Sequence, residues 1–247
     1  MNFFSLFKRN FIYKLKNKIK IKKDNINFKT LDDLFQHYGS DKADFFTKKK
    51  SAGHGFSKYY VKHLEELRNK KINILEIGSY AGASAAAFTK YFPYSQIFCF
   101  DINISNFNYK SKRIHVYGLD INNKKRVEQT IEKIFIENDF DKFDLIVDDG
   151  SHNLSDILIS LSQLFKYLEK NGIYVIEDFK YPNYFKYNKN VDDILVNDLI
   201  DKLKKKEKFN SNFFSSNVQL DMIKSIQDIY IYKGNLPESD ICFIKKN

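Results

Sequence analysis

The chain has 247 residues, 43% of them hydrophobic and 29% charged, which suits one α/β domain with additions and excludes a small disulfide-held scaffold. Its two cysteines, Cys99 and Cys242, stand alone in apolar runs without zinc or dithiol spacing, so a reducing, cytoplasmic compartment is expected. The formal charge is +10, but residues 1–25 carry +7 of it, with Lys8, Arg9, Lys14, Lys16, Lys18, Lys20, Lys22 and Lys23 set against Asp24 alone. The rest of the chain is nearly balanced and shows no basic stripe, which argues against a nucleic-acid partner.

In the basic tail, Phe3, Phe7, Phe11 and Leu15 recur every four residues, the spacing of an amphipathic helix. No apolar run is long enough for a signal sequence or a membrane span. The tail therefore reads either as a peripheral contact with the inner face of an anionic membrane or as a loosely docked basic arm. A single domain is expected over 26–247. Residues 26–71 would form its helical N-terminal cap, 72–180 its cofactor and metal core, and 181–247 a substrate-side helix and closing hairpin.

From residue 72, short apolar runs alternate with helical patterns. Strands are expected at 72–77 (INILEI), 96–101 (QIFCFD), 113–120 (RIHVYGLD), 143–149 (FDLIVDD) and 173–178 (IYVIED). Helices are expected at 82–92, 124–138 and 154–170, the last stopped by Asn171-Gly172. A polar helix near 190–208 and strands at 227–234 and 240–246 complete the chain. This alternation predicts an α/β fold with a doubly wound, mostly parallel seven-stranded sheet. The short "NLPES" connection makes the last two strands an antiparallel hairpin. Five β/α repeats ending in a hairpin is the outline of the class I, Rossmann-like methyltransferases.

Ligands of open α/β sheets bind at the carboxyl ends of the strands. Here those ends deliver Glu76, Asp101, Asp120, Asp148 with Asp149, and Glu177 with Asp178. Gly78 and Gly82 in "EIGSYAGAS" let the backbone approach a ligand, and Asp101 suits a ribose diol. A ligand with an amino acid end, a ribose and no pyrophosphate is S-adenosylmethionine. The alternative is an ordinary strand-to-helix turn that needs glycine for its positive φ. Asp149, Glu177 and Asp178 can converge, and three carboxylates together call for a hard cation such as Mg²⁺, Ca²⁺ or Mn²⁺. His152 then serves as a general base, or else simply opens the following helix.

Seven segments carry a resemblance: "HYGSDK" (37–42), "GHGFSKYYVKHL" (53–64), "ILEIGSYAGAS" (74–84), "KYFP" (90–93), "FDIN" (100–103), "IVDDGSH" (146–152) and "YVIED" (174–178). In this order they resemble the metal-dependent sugar O-methyltransferases of mycinamicin and novobiocin type, over roughly residues 30–180. The resemblance implies Asp149, Glu177 and Asp178 as metal ligands and His152 as the catalytic base. It implies Asp148, Glu76, Gly78, Ser84 and Asp101 as cofactor contacts, and Tyr38, Ser40, Lys42, His54 and Tyr59 in a segment closing over cofactor and substrate. After the third strand the family's acid is replaced by Leu119, with Asp120 one position on. The segment "FKYPNYFKYNKN" matches no member, so the acceptor does not carry over. The expected activity is S-adenosylmethionine- and Mg²⁺- (or Mn²⁺-) dependent O-methylation of a nucleotide-linked or surface-glycan sugar, releasing S-adenosylhomocysteine, in a homo-oligomer. Alternatives are a methyltransferase of a catechol-like or phosphoryl compound, an RNA methyltransferase, and a non-catalytic glycan-assembly protein.

Overall fold

The alternating apolar runs fold into a seven-stranded mixed sheet in the computed structural model, which describes residues 3–21 and 30–247, the side chains of Phe3 and Phe4 excepted. The expected place of Phe3 on the tail's apolar stripe, the charges of Lys22, Lys23 and Asp24, and the start of the cap at 26 lie outside the described residues. The chain divides into two compact units, residues 1–120 with 234–237, and residues 121–233 with 238–247.

In the first unit, α1 (Phe3–Leu15) leads into β1 (Ile19–Lys20). α2 (Leu31–Tyr38) starts at Thr30, whose hydroxyl accepts the Asp33 N–H, and ends at Gly39 in left-handed backbone, φ 72°. A short hairpin of β2 (Phe45–Phe46) and β3 (Ser51–Ala52) precedes α3 (Ser57–Leu64). Asp32 ties this region together, accepting the Asp44 N–H at 2.9 Å and the Ser57 hydroxyl at 2.7 Å. Then come β4 (Asn73–Ile77), α4 (Ala83–Tyr91), β5 (Gln96–Asp101), β6 (Tyr109–Lys110) and β7 (Ile114–Gly118). β4, β5 and β7 are parallel neighbours in that order, and β1 pairs with β6. α2 packs on α4 through Phe35, which meets Phe88 edge-on at 5.5 Å.

The second unit contains α5 (Lys124–Asn138), β8 (Phe143–Asp148), α6 (Leu154–Leu164), β9 (Leu168–Glu177), α7 (Tyr181–Tyr184), α8 (Val196–Lys204), α9 (Ser216–Ser225), β10 (Ile226–Lys233) and β11 (Asp240–Lys246). Its strand order is β10-β11-β9-β8, with β8 and β9 parallel and the last two strands antiparallel, as the short connection predicts. β8 and the second half of β9 are buried almost throughout, the pattern of strands covered on both faces.

Three expectations need correction. The helix predicted over 154–170 stops at Leu164, and Leu168 already pairs with Phe143 as the first residue of β9. Asn171-Gly172 is therefore a bulge inside a strand and not a helix stop. Phe143 pairs with Leu168 but Leu145 pairs with Ile173, and Asn171 takes φ 62° to absorb the extra residues. The helix near 190–208 is shorter, and its Val196, Leu199, Ile200 and Leu203 are buried, so it is amphipathic and not polar. α9 was not anticipated, because its Ser- and Asn-rich start reads as loop. Among the described residues no helix is long and apolar enough to cross a membrane.

Gly82 precedes α4 with φ 77°, and a Cβ there would lie 2.4 Å from the Phe107 ring. The backbone term alone predicts that Gly82→Ala costs about 1–2 kcal/mol, read as a lower urea midpoint at unchanged m-value.

Candidate active site

In the first unit, the turn after β4 is built for close approach. Gly78 and Gly82 lie in left-handed backbone, and so does Tyr80 between them at φ 41°. A non-glycine residue there costs about 1–2 kcal/mol, so something must hold it. Asp101, at the end of β5, does so: its Oδ2 accepts the Tyr80 N–H at 2.7 Å and its Oδ1 the Asn103 N–H at 2.5 Å. Each carboxylate oxygen accepts more than one bond, so the half-buried Asp101 can still receive a diol. Glu76 is wholly buried and accepts the Ser84 hydroxyl. The two residues expected to face a ligand independently are thus bonded to each other. Burial, helped by the Glu76 charge, pushes the Cys99 thiol well up, so that sulfur stays neutral.

The other expected cofactor residues of this unit fall into one lobe. Tyr38 ends α2, Ser40 and Lys42 follow it, and all three are buried, while His54 and Tyr59 are half-buried. The Lys42 carbonyl accepts the Phe56 N–H at 2.8 Å, and the Asp41 carbonyl accepts the His54 N–H at 2.7 Å, folding "GHGF" onto "GSDK". Gly53 permits this fold-back, since a Cβ there would sit 2.1 Å from the Ala43 carbonyl oxygen. The Tyr38 carbonyl accepts the Tyr109 hydroxyl at 2.7 Å. Leu119 is buried, with its N–H on the Asp101 carbonyl at 3.1 Å, so Asp120 is the half-buried acid after β7.

In the second unit, Asp148 ends β8 opposite Ile176. It is buried, and its Oδ2 has no hydrogen-bond partner. Burial pushes its carboxyl up to about 7, against the lowering effect of the Ser160 hydroxyl and the Gly150 N–H. Asp149, one residue beyond the strand, is half-buried. His152 Nε2 lies 3.7 Å from Asp149 Oδ1 and 4.0 Å from Asp178 Oδ2. One ligand atom from each of the three lies within 4.8 Å of the others. His152 and Asp178 both adopt left-handed backbone, φ 56° and 48°. Such strain persists only where surrounding structure enforces it, and it concentrates at functional sites.

Two carboxylates and an imidazole at this separation fit a divalent cation of the Mg²⁺ or Mn²⁺ type. The structure brings Asp149, Asp178 and His152 together. Glu177, also expected as a ligand, is buried at the end of β9 opposite Ile241 and is not among the three converging groups.

Several residues beyond sequence reasoning support this cluster. Asn188 Nδ2 donates to the Asn153 side chain at 3.2 Å, and Asn190 Nδ2 donates to the Ser155 hydroxyl at 2.8 Å. Both amides therefore hold the turn that carries His152. Tyr181 packs its ring 5.3 Å from His152 and 4.4 Å from Phe185. Burial and a hydrogen bond with Tyr187 push the Tyr181 hydroxyl up to about 12. The available signal was the aromatic density of "YPNYFKYN" directly after β9. The geometry predicts that Asp178→Asn weakens Mn²⁺ binding tenfold or more, about 1.4 kcal/mol, in titration calorimetry, with a smaller loss for Glu177→Gln. An equal loss for both would put Glu177 in the coordination sphere as well.

No family model matches the sequence. The chain is 30% identical over 141 residues to mycinamicin VI 2''-O-methyltransferase of Micromonospora griseorubida, covering 54% of this chain and 34% of that protein. It is 33% identical over 157 residues to L-olivosyl-oleandolide 3-O-methyltransferase of Streptomyces antibioticus, covering 60% of this chain and 36% of that protein. The matched stretch spans about a third of these relatives' length. Among solved structures, MycE, a methyltransferase of the mycinamycin biosynthetic pathway in complex with Mg, SAH and mycinamycin VI, superimposes with a TM-score of 0.68. It is 22% identical, and the match covers 89% of this chain and 55% of MycE. The chain therefore has the class I methyltransferase fold, and its sequence is similar to sugar O-methyltransferases along part of their length.

Proposed function

We propose that this chain is an S-adenosylmethionine- and Mg²⁺-dependent O-methyltransferase acting on a sugar hydroxyl, nucleotide-linked or part of a surface glycan, in a reducing cytoplasmic compartment. The observation that carries the reading is the convergence of Asp149, His152 and Asp178 directly after two strand ends, in a chain related to sugar O-methyltransferases. Asp101 would bind the ribose. The turn closed by Glu76 and Ser84 would receive the amino acid end, and Asp120 and Asp148 would contact the rest of the cofactor. Tyr38, Ser40, Lys42, His54 and Tyr59 would cover it. A cation held by Asp149 and Asp178 would supply, when bound, positive charge that lowers the pKa of the acceptor hydroxyl. His152 takes the proton of that hydroxyl. The cofactor's sulfonium is already activated, so the chain chiefly aligns oxygen and methyl group and excludes water.

One observation favours a second role for His152. Its Nε2 faces both carboxylates, at 3.7 and 4.0 Å, which is also the arrangement of a third ligand. His152→Ala separates the roles. As a base, its loss lowers kcat about 100-fold or more and leaves Mn²⁺ affinity unchanged. As a ligand, its loss lowers Mn²⁺ affinity as well.

The basic N-terminal segment would make a peripheral contact with an anionic membrane. Assay on a nucleotide-sugar panel tests the catalytic reading. Methyl transfer should vanish with EDTA and return with Mg²⁺ or Mn²⁺; transfer unchanged by chelation would overturn the metal assignment.

A further inference from the structure

The N-terminal helix has two faces with different tasks. Leu6, Arg9, Asn10 and Tyr13 follow the spacing of one helical face and turn toward the rest of the first unit. Leu6 is buried, Arg9 donates to the Ile102 carbonyl at 2.9 Å, and Tyr13 meets Phe107 edge-on at 6.3 Å. Past the helix, Lys16 donates to the Ser105 carbonyl at 3.0 Å, and the Ile19 N–H donates to the Asn108 carbonyl at 2.8 Å. All these partners belong to one segment, 102–110, which follows Asp101. That segment in turn shapes the turn after β4. Phe107 covers Gly82, and the Asn108 N–H donates to the Ala81 carbonyl at 3.0 Å.

The opposite face is apolar and exposed. Phe7, Phe11 and Leu15 are 65, 56 and 70% exposed, with Ile12 and Ile19 also exposed. Lys8, Lys14 and Lys20 stand exposed among them, and no acidic residue occurs over 3–21. An apolar stripe set in uncompensated positive charge matches the surface of an anionic bilayer, where rings and leucine enter the acyl boundary and lysines meet the headgroups. A protein partner or a second copy would have to supply matching acidic charge, and this helix supplies none.

We propose that α1 docks on an anionic lipid surface through Phe7, Phe11, Ile12, Leu15 and Ile19, and that docking steadies, through its other face, the 102–110 segment and the cofactor turn. The proposal rests on the membrane reading above and adds to it the linkage. A 13-residue helix is marginal alone in water, so its formed and frayed states are both accessible. Lipid binds the formed amphipathic helix, and only the formed helix presents Arg9 and Tyr13 to the segment. A ligand that prefers one state shifts every equilibrium tied to that state.

Vesicle sedimentation and hydrogen exchange on the full chain test this without requiring bound cofactor or methyl transfer, so the catalytic reading stands or falls separately. The chain should partition onto phosphatidylcholine–phosphatidylglycerol vesicles and not onto phosphatidylcholine alone. Phe7→Ser with Phe11→Ser, both exposed, should lower that partitioning about tenfold or more. Exchange across 102–110 and 79–84 should slow several-fold with anionic vesicles in the wild type. It should not slow in Tyr13→Ala, which keeps the lipid face, whereas Tyr13→Phe should behave as wild type. Partitioning unaffected by the double serine variant, or self-association through this face in place of vesicle binding, would overturn the lipid surface. Vesicle binding without slower exchange would overturn the linkage.

Discussion

A carboxylate that ends an apolar strand loses its water and must find a replacement, and much of this structure follows from the replacements. Glu76 takes the Ser84 hydroxyl and is sealed beneath the turn. Asp101 takes two backbone N–H groups and so pins the strained Tyr80. Asp148 is left with one oxygen unbonded, and burial drives its carboxyl toward the neutral form. Asp149 and Asp178 lie against His152. Chemically similar side chains thus become a brace, a seal, a neutralised acid and a pair flanking an imidazole through burial and partner alone.

The second layer sets how firmly these groups are held. In the second unit the His152 turn is held by amides from the 188–190 segment and flanked by the ring of Tyr181. In the first unit the turn after β4 leans on Phe107, and Phe107 leans on Tyr13 of the N-terminal helix. Both supports come from segments outside the recognisable motifs. Neither an asparagine nor a basic tail announces itself in the sequence as such a support.

Much of the strand framework was legible because its apolar runs are short, separated by clear helical periods, and bounded by turn residues. The second strand and the helix over 124–138 have the predicted limits. Errors gathered where local and tertiary signals compete. Asn171-Gly172 looks like a helix stop, yet pairing of Leu168 with Phe143 had already ended the helix. Among the candidate site residues, Asp149 and Asp178 were legible as acids at strand ends. The place of Glu177 relative to them was not, because adjacent residues at a strand terminus diverge according to backbone angles that sequence does not display. Asp178 turns into left-handed backbone, φ 48°, immediately after Glu177 leaves the ladder.

By itself the sequence determined the class of fold, the strand ends, the acids placed there and the amphipathic character of the tail, since hydrophobic period and residue chemistry are local properties. Only the tertiary structure decided which acids share a partner, that His152 stands against two of them, and that the tail helix turns Leu6 and Tyr13 inward while leaving Phe7, Phe11 and Leu15 outside. Those outcomes depend on which surface each side chain meets, and contacts between distant residues are set by packing rather than by spacing along the chain.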